Sequence, residues 1–417
     1  MTRFISRLVL PPIVFSAFLL ISGNGLFPTT HAGDWPQWRG ENRDGKVTGF
    51  QAPSSWPKEL TQKWKVAVGE GVATPALVGD KLYVFSWDGG KEILRCLDAE
   101  TSKEIWKNEY DAEKASGPAS GFAGARSSPA VVDGKIVTVG VQGTLSCVDA
   151  KSGDKIWRNV NALGHPQFFV SCSPIVVDGL CVAQFGGEKS GGIAAYEMSN
   201  GKEKWKWGED SAAYASPVLL TVDGTKMIVA ETNQNIVGLG AADGKLLWKT
   251  PFANSKAMGR GYNASTPIVE GQTVIFSGSN RGTKTIKIEK KGDGFEVKEG
   301  WSNKDNSVMY NTPVVHNGLV FGLTSANNLF CINTEGKTAW SSSIKGKQGY
   351  GSIVDAGSVL LSLTPAGQLV VYEPSEKEFK EIASYKVSNT ETYAYPVISG
   401  KRIYVKDKDS VIMYTIE

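Results

Sequence analysis

Histidine is almost absent from this 417-residue sequence, which contains only His31, His165 and His316. A metal centre built from several histidines and a Ser-His-Asp triad are therefore not expected. The Gly-rich stretch at 186–192 is not followed by Gly-Lys-Ser/Thr, so it does not predict a phosphate-binding loop. From these patterns we predict no catalytic residue and no metal-binding residue.

An excess of charge of one sign is also missing, since 45 Lys and Arg residues stand against 42 Asp and Glu residues. Proteins that bind nucleic acid usually carry a clearly basic surface, so a nucleic-acid partner is not expected. No segment shows a sustained helical periodicity of apolar residues. The hydrophobic fraction of 41% is typical of a globular protein with a core.

Adjacent cysteines are absent, and the number of cysteines is odd. The five are Cys96, Cys147, Cys172, Cys181 and Cys331. Cys96, Cys147 and Cys331 occupy the same position of a repeat that is described below. This shared position indicates that they are small apolar residues of strands. A hairpin that turns at 178–179 would pair Cys181 with Val176 and not with Cys172. We therefore predict no structural disulfide.

The segment 1–32 has the pattern of a cleaved signal peptide. Arg3 and Arg7 precede an apolar run at 8–21, and Ala32 is a suitable cleavage position. The alternative is a transmembrane anchor, but the run is short for a span of ~20 residues and contains two prolines. No cysteine lies near the cleavage position, so a lipid anchor is not expected. We predict a periplasmic or secreted monomer with no transmembrane segment after cleavage.

A repeat that ends in an aromatic residue runs through the rest of the chain. Its copies, such as LRCLDAETSKEIW and LSCVDAKSGDKIW, end at Trp64, Trp106, Trp157, Trp205, Trp248, Trp301, Trp340 and Tyr385. The apolar run is a strand, Asp-Ala-x-x-Gly-Lys is a turn, and the residues up to Trp form a second strand. The Trp is a large apolar residue suited to packing between neighbouring units.

A second motif alternates with the first and consists of Ser/Thr-Pro, an apolar run, a tight turn and another apolar run. Its eight copies begin at Thr74, Ser128, Ser173, Ser216, Thr266, Thr312, Ser352 and Tyr395. The turns are rich in Gly and Asn, which indicates two strands joined as a hairpin. Each unit therefore has four antiparallel strands in ~45 residues, the pattern of one propeller blade.

These repeats predict an all-β, eight-bladed β-propeller of four-stranded antiparallel blades over residues 56–417. The last copy ends after three strands, and the strand around Trp64 has no unit of its own. We expect this N-terminal strand to complete the last blade and close the ring. The alternatives are seven blades with one degenerate copy, or two sandwiches, although two sandwiches would not repeat Trp in this register.

The combined repeat, SPVVxDGxVYV followed by xLDAxTGKxxW, resembles the PQQ-like propeller repeat of quinoproteins. The segment DWPQWRGENRDG at 34–45 resembles the opening segment of exported propeller proteins common in planctomycete-type bacteria, with Glu41 where Pro is usual. The resemblance implies the propeller fold, and it implies that residues 33–55, here called the strap, pack against the ring.

Two kinds of protein share this repeat. The quinone-dependent alcohol and glucose dehydrogenases carry an adjacent Cys-Cys pair, a calcium site and a catalytic Asp, and this chain has no Cys-Cys pair. The propeller lipoprotein of the outer-membrane barrel assembly machinery is a scaffold of similar length, but this chain lacks its lipidated Cys. Because fold does not confer function, we expect no cofactor, and bound PQQ with calcium is an alternative that no motif supports.

One aligned position stands out at the predicted entrance of the channel. Three residues before the Pro of each copy lie Val72, Arg126, Ser171, Tyr214, Ala264, Tyr310, Tyr350 and Tyr393. Loops that enter the channel-lining strands lie at one end of a propeller, and Tyr and Arg suit recognition. We predict a ligand-binding mouth formed by Arg126, Tyr214, Tyr262, Asn263, Tyr310, Asn311, Tyr350 and Tyr393. The alternative is that these side chains merely fill the channel.

Three functions are compatible with these patterns. The first is a non-catalytic exported scaffold that binds a protein partner in the cell envelope, or another periplasmic ligand, at the channel mouth. The second is a PQQ-dependent oxidoreductase related to alcohol dehydrogenases. The third is a polysaccharide-binding module, but paired carboxylates do not recur beside the ring, which argues against a glycosidase.

Overall fold

The structure is a computed structural model that describes Met1 and residues 33–160, 164–187, 190–253, 262–344 and 350–417. Apart from Met1, the predicted signal peptide lies outside the described residues. The described chain contains 32 strands, arranged as eight four-stranded antiparallel sheets, and one short 3-10 helix, Gly117–Phe122. The eight sheets form a ring, so the prediction of an eight-bladed β-propeller is confirmed.

The strands follow the order of the repeats. The first strand in the chain is β1 (Thr61–Ala67). Blade 1 contains β2 (Ala76–Val78), β3 (Lys81–Asp88), β4 (Lys91–Asp98) and β5 (Glu104–Asp111). Blade 2 contains β6 (Ala130–Val132), β7 (Lys135–Val139), β8 (Leu145–Asp149) and β9 (Lys155–Asn159). Blade 3 contains β10 (Ile175–Val177), β11 (Leu180–Phe185), β12 (Gly192–Glu197) and β13 (Glu203–Trp207). Blade 4 contains β14 (Val218–Val222), β15 (Thr225–Glu231), β16 (Asn235–Gly240) and β17 (Leu246–Pro251).

The second half repeats the same arrangement. Blade 5 contains β18 (Ile268–Glu270), β19 (Thr273–Gly278), β20 (Gly282–Lys291) and β21 (Gly294–Asn303). Blade 6 contains β22 (Val314–His316), β23 (Leu319–Leu323), β24 (Asn328–Ile332) and β25 (Thr338–Ser343). Blade 7 contains β26 (Ser352–Asp355), β27 (Leu360–Leu363), β28 (Gln368–Tyr372) and β29 (Glu381–Lys386). Blade 8 contains β30 (Val397–Ser399), β31 (Arg402–Lys406) and β32 (Ser410–Thr415), completed by β1.

The N-terminal strand closes the ring, as predicted. Strand β1 pairs antiparallel with β32, with Trp64 opposite Met413 and Val66 opposite Val411. The first and last parts of the propeller therefore share one sheet. As the outermost strand of blade 8, β1 covers the edge of β32 that would otherwise be unpaired.

A circle of hydrogen bonds explains why Ser or Thr recurs before Pro. The N–H of this residue donates to the hydroxyl of the equivalent residue in the next blade. These bonds join Thr74 to Ser128, Ser128 to Ser173, Ser173 to Ser216, Ser216 to Thr266 and Thr266 to Thr312. The N–H of Tyr395 donates to Thr74 Oγ1 at 3.0 Å and connects the last blade to the first. The repeated hydroxyl thus satisfies a buried N–H at the blade interface.

The recurring Trp and Gly belong to one packing unit that spans two blades. The Trp side chain of one blade lies against the turn glycine of the next. A Cβ atom on Gly244 would lie 2.5 Å from Trp205, and one on Gly153 would lie 2.5 Å from Trp106. Glycine is therefore required at this turn both for its positive φ and for the space that the indole occupies. This confirms that the Trp residues pack between neighbouring blades.

All five cysteines are buried and unpaired. Cys96, Cys147 and Cys331 lie opposite Trp106, Trp157 and Trp340, the same position in three blades. Cys181 pairs with Val176 across its hairpin, as its spacing predicts. The cysteines are small apolar core residues of the blades.

The strap enters the channel from the end opposite the predicted mouth. Trp35 pairs with Leu77 in β2, and Lys46 pairs with Asp355 in β26, both channel-lining strands. Between these two bridges the chain forms a loop inside the ring. Asp34, near its start, accepts a hydrogen bond from the N–H of Gly79, in the turn after β2.

Two buried arginines attach this loop to opposite sides of the channel. Arg39 donates to the carbonyls of Thr312 and Pro313 and to Tyr395 Oη. Arg43 donates to the carbonyls of Ser173 and Pro174. Burial lowers the pKa of Arg43 to about 9. Main-chain carbonyls, rather than carboxylates, solvate these two cations. Because their partners belong to blades 3, 6 and 8, the two arginines connect these three blades across the channel.

Candidate functional site

At the loop end of the channel, above the strap, lies a cavity of about 380 Å³. All eight positions aligned from the sequence line it, namely Val72, Arg126, Ser171, Tyr214, Ala264, Tyr310, Tyr350 and Tyr393. Each stands on the loop that enters the first strand of its blade, so the repeat itself places one residue per blade around the opening. The strap forms part of the wall with Trp38, whose Nε1 donates to Thr266 Oγ1 at 3.0 Å.

Six of the eight residues predicted to bind a ligand meet in this cavity. They are Arg126, Tyr214, Tyr262, Tyr310, Tyr350 and Tyr393. Their five tyrosine side chains are half-buried, with part of each ring accessible. Whether they bind a ligand stays a prediction.

Asn263 and Asn311 do not line the cavity, and their placement corrects the sequence analysis. The side-chain amide of Asn263 donates to the carbonyls of Thr232 and Phe252. That of Asn311 donates to the carbonyl of Leu323 at 2.8 Å. Each Asn directly follows a cavity-lining Tyr, and successive side chains of an extended segment point to opposite sides. Both residues therefore hold their loops against the blades.

Four residues at or beside the turns between second and third strands also lie outside the lining of this cavity, namely Trp87, Asn233, Arg281 and Asn327. Trp87 Nε1 donates to the carbonyl of Ala112, and Arg281 Nη1 donates to the carbonyl of Phe252. These contacts fix the loops around the mouth. The turns lie farther from the channel axis than the entering loops, because they join the second and third strands of each blade.

The rings of the cavity form two groups. On one side, the Phe168 ring lies 4.5 Å from that of Tyr262 and 6.1 Å from that of Tyr214, both edge-on. On the other side, the Tyr310 ring lies 4.3 Å from that of Tyr350 in an edge-on arrangement. Edge-to-face contact is the favoured geometry of aromatic pairs, so the walls are ordered by their own contacts.

The second group continues to Phe122, whose ring lies 4.9 Å from that of Tyr393 and nearly perpendicular to it. The sequence analysis missed Phe122, Phe168 and Trp38. Phe122 and Phe168 lie in the long connections at 112–129 and 160–174, and Trp38 lies in the strap. The length of these connections was the available signal, since long loops in a compact domain are often functional.

Arg126 connects the two groups of rings. Its Nε and Nη2 donate to the carbonyl of Phe122, at 2.9 and 2.7 Å, and its Nη1 donates to the carbonyl of Phe168. Burial lowers the pKa of Arg126 to about 10, so the guanidinium remains charged at neutral pH. Arg126 is thus the cation of the cavity and also the residue that positions both phenylalanine loops.

The hydroxyl of Tyr310 is neutral over a wide pH range. Burial, followed by the neighbouring Tyr350, raises the pKa of Tyr310 to about 12. No Asp or Glu occurs among the described lining residues. The described lining therefore combines aromatic walls with the positive charge of Arg126.

Comparison with known proteins places the chain in a family. The family model described as outer membrane protein assembly factor BamB, with PQQ-type repeats, matches residues 43–207 and, in an overlapping match, 92–335. The chain belongs to this family. The solved structure of BamB from Moraxella catarrhalis superposes with a TM-score of 0.64 at 14% identity, covering 85% of this chain and 99% of that one. At this identity the likeness shows the fold.

Curated relatives come from two functional classes. An outer membrane protein assembly factor BamB from Yersinia pestis is 23% identical over 311 residues, 72% of this chain and 65% of that protein. The quinohemoprotein alcohol dehydrogenase ADH-IIG from Pseudomonas putida is 28% identical over 153 residues, 36% of this chain and 21% of that enzyme. The chain thus matches less than two thirds of the length of either relative. Scaffold and enzyme classes both share its repeat.

The dehydrogenase class implies pyrroloquinoline quinone with calcium, and the residues present do not fit that pair. The quinone bears three carboxylates, and calcium prefers oxygen ligands such as carboxylates. The described lining offers one cation, Arg126, most of whose N–H groups already donate to main-chain carbonyls. Across the described residues, no group of three or more His, Cys, Asp and Glu could hold a metal ion.

Within the part of the chain that the structure describes, no helix has the length and apolar character needed to cross a membrane.

Proposed function

We propose that this protein is an exported, non-catalytic scaffold whose channel-mouth cavity binds a protein partner in the cell envelope. The observation that carries the proposal is the cavity itself. All eight blades contribute to one aromatic recess, and no Asp, Glu, His, Cys or Lys lies among its described lining residues. Buried tyrosine and arginine contacts of this kind dominate the binding energy of many protein interfaces.

Family membership supports the same conclusion. BamB is named for its part in assembling outer membrane proteins, and a scaffold of that kind acts by holding partners. The signal-like segment 1–32 favours a periplasmic or secreted location.

A quinone-dependent oxidoreductase is the second candidate, favoured by the dehydrogenase relatives. That function needs ligands for the quinone and its metal ion at the mouth. Because the described lining lacks carboxylates, the scaffold is the better supported proposal.

Site-specific cross-linking in the producing cell tests the proposal. A photoreactive phenylalanine would replace either Tyr350 at the mouth or the exposed Lys151, in a turn at the opposite end. We expect protein adducts from position 350 and few from position 151. The adducts from position 350 should be lost when the additional substitution Ala264→Tyr fills the cavity. Equal adducts from both ends, or adducts at 350 that persist with Ala264→Tyr, would overturn the proposal.

A further inference from the structure

We infer that the cavity binds an aromatic side chain of the partner together with a carboxylate beside that side chain. The inference rests on the proposed function and specifies its ligand. Its basis is the size of the recess, the arrangement of its rings, the existing hydrogen bonds of its Ser and Thr hydroxyl groups, and the positive charge of Arg126.

The size of the recess suits one inserted residue. The volume of about 380 Å³ is near the lower end of the roughly 300–1,000 Å³ range of small-ligand sites. At ~30 Å³ per molecule it would hold about a dozen waters. A single aromatic residue with its adjoining main chain matches this space.

The walls present ring faces and edges from two directions. Phe168 with Tyr262 forms one wall, and Tyr310 with Tyr350 forms the other, with interplanar angles of 67° and 70°. An inserted ring can therefore contact a face on one side and an edge on the other. Aromatic groups gain most from such mixed contacts.

The hydroxyl groups of Ser and Thr in the lining already have partners. Ser171 Oγ donates to the carbonyl of Tyr214, Ser216 Oγ accepts from the N–H of Ser173, and Thr266 Oγ1 accepts from the N–H of Ser216. A sugar buried here would therefore depend on the tyrosine hydroxyls of the walls for its hydrogen bonds. An aromatic side chain has no such requirement.

The charge of the cavity determines the second part of the ligand. Arg126 is charged at neutral pH, and its guanidinium donates to the carbonyl oxygens of Ala119, Phe122 and Phe168. One hydrogen of Nη1 is left over after these bonds, since a guanidinium has five donors. A carboxylate at this point would gain a charge-assisted hydrogen bond, and a cationic ligand would be repelled.

Isothermal titration of three small probes into the full mature chain tests the aromatic ring and the carboxylate separately. N-acetyl-tryptophan carries a terminal carboxylate, N-acetyl-aspartyl-tryptophan amide carries a side-chain carboxylate, and N-acetyl-tryptophan amide carries neither. We expect at least one of the two acids to bind about tenfold more tightly than the uncharged amide. Whichever acid binds better identifies a chain end or an acidic side chain as the partner's anion.

Ala264→Tyr provides the site control, because it adds a ring at the position where four other blades already have Tyr. We expect this substitution to weaken the binding of both acids at least tenfold. The surface substitution Lys151→Tyr should leave their affinities unchanged. Equal affinity of acid and amide, tighter binding of maltose or cellobiose, or no binding of any probe would overturn the inference. If no probe binds but Ala264→Tyr still removes the cross-linked partner, only this inference fails and the proposed function stands.

Discussion

The strap inside the channel and the mouth above it use the same kinds of residue in different ways. In the strap, Arg39 and Arg43 are buried, and their N–H groups donate to carbonyls of several blades. At the mouth, Arg126 also donates to carbonyls, but it lies in the lining of an open recess among half-buried rings. The strap is packed for stability, and the mouth retains surface that a partner can cover.

The largest expected effect comes from removing a strap arginine. Arg39→Ala would leave the carbonyls of Thr312 and Pro313 without their donor and open a cavity inside the ring. We expect a loss of at least about 3 kcal/mol in the free energy of unfolding, measured by urea denaturation. Arg402→Ala is the matched control, since the polar contacts of Arg402, with Glu100 at 3.6 Å and with Ser399 Oγ at 3.3 Å, lie at the surface, where an ion pair is worth less than about 1 kcal/mol. Equal effects of the two substitutions would remove the contrast between the strap and the surface.

Turn glycines at the strap end test the packing there. Gly244 and Gly224 both have positive φ, at +69° and +77°, but only a Cβ on Gly244 would collide with an indole, that of Trp205. We expect Gly224→Ala to cost about 1 kcal/mol, through its backbone conformation alone. Gly244→Ala should cost about 2 kcal/mol more, because Trp205 has to move. Similar thermal midpoints for the two variants would contradict the packing unit described for adjacent blades.

A buried lysine near the mouth makes stability depend on pH. Lys406 donates to the carbonyls of Gly69, Gly71 and Asp407, and burial lowers its pKa to about 8. The unfolded chain keeps this proton up to its ordinary pKa near 10.5, so between about pH 8 and 10.5 the unfolded state binds more protons. The contribution of Lys406 to stability therefore rises with pH across that window.

Comparison of variants isolates this effect. Between pH 8 and 9.5 we expect the wild type to gain roughly 1 kcal/mol relative to Lys406→Met. The exposed neighbour Lys408 provides the control, because Lys408→Met should keep the gain. Parallel pH profiles of wild type and Lys406→Met would show that Lys406 does not titrate in this range.

The smallest effect on stability is expected within the mouth. Tyr310→Leu removes one edge-on ring contact with Tyr350, and the side chain is already half-buried. We expect a loss of about 1 kcal/mol or less in the free energy of unfolding, together with at least tenfold weaker binding of the aromatic acids. A large loss of stability would place Tyr310 among the structural residues, as at the strap end.

Repetition made the fold predictable from sequence. The Trp, the turn Gly and the Ser or Thr before Pro each mark a contact between adjacent blades, and such contacts recur in several of the units. The same register predicted one cavity position for each blade. The sequence could also predict ring closure, because β1 was the one strand without a unit of its own.

Residues outside the repeat were less predictable. The positions of Phe122 and Phe168 depend on how two long loops fold back onto the mouth, through the bonds that Arg126 makes to their carbonyls. Asn263 and Asn311 were misplaced because neighbours in an extended segment point in opposite directions. The insertion of the strap could not be inferred from a resemblance that implied only packing against the ring.

The most direct test of the scaffold proposal is isothermal titration of pyrroloquinoline quinone with calcium into the mature chain and into Ala264→Tyr. Because the described lining has no Asp or Glu to hold calcium, we expect that adding calcium leaves the heat of quinone binding unchanged with either protein. Tight one-to-one binding that requires calcium and is lost in Ala264→Tyr, but kept in Lys151→Tyr, would contradict the scaffold and place a redox cofactor in the mouth.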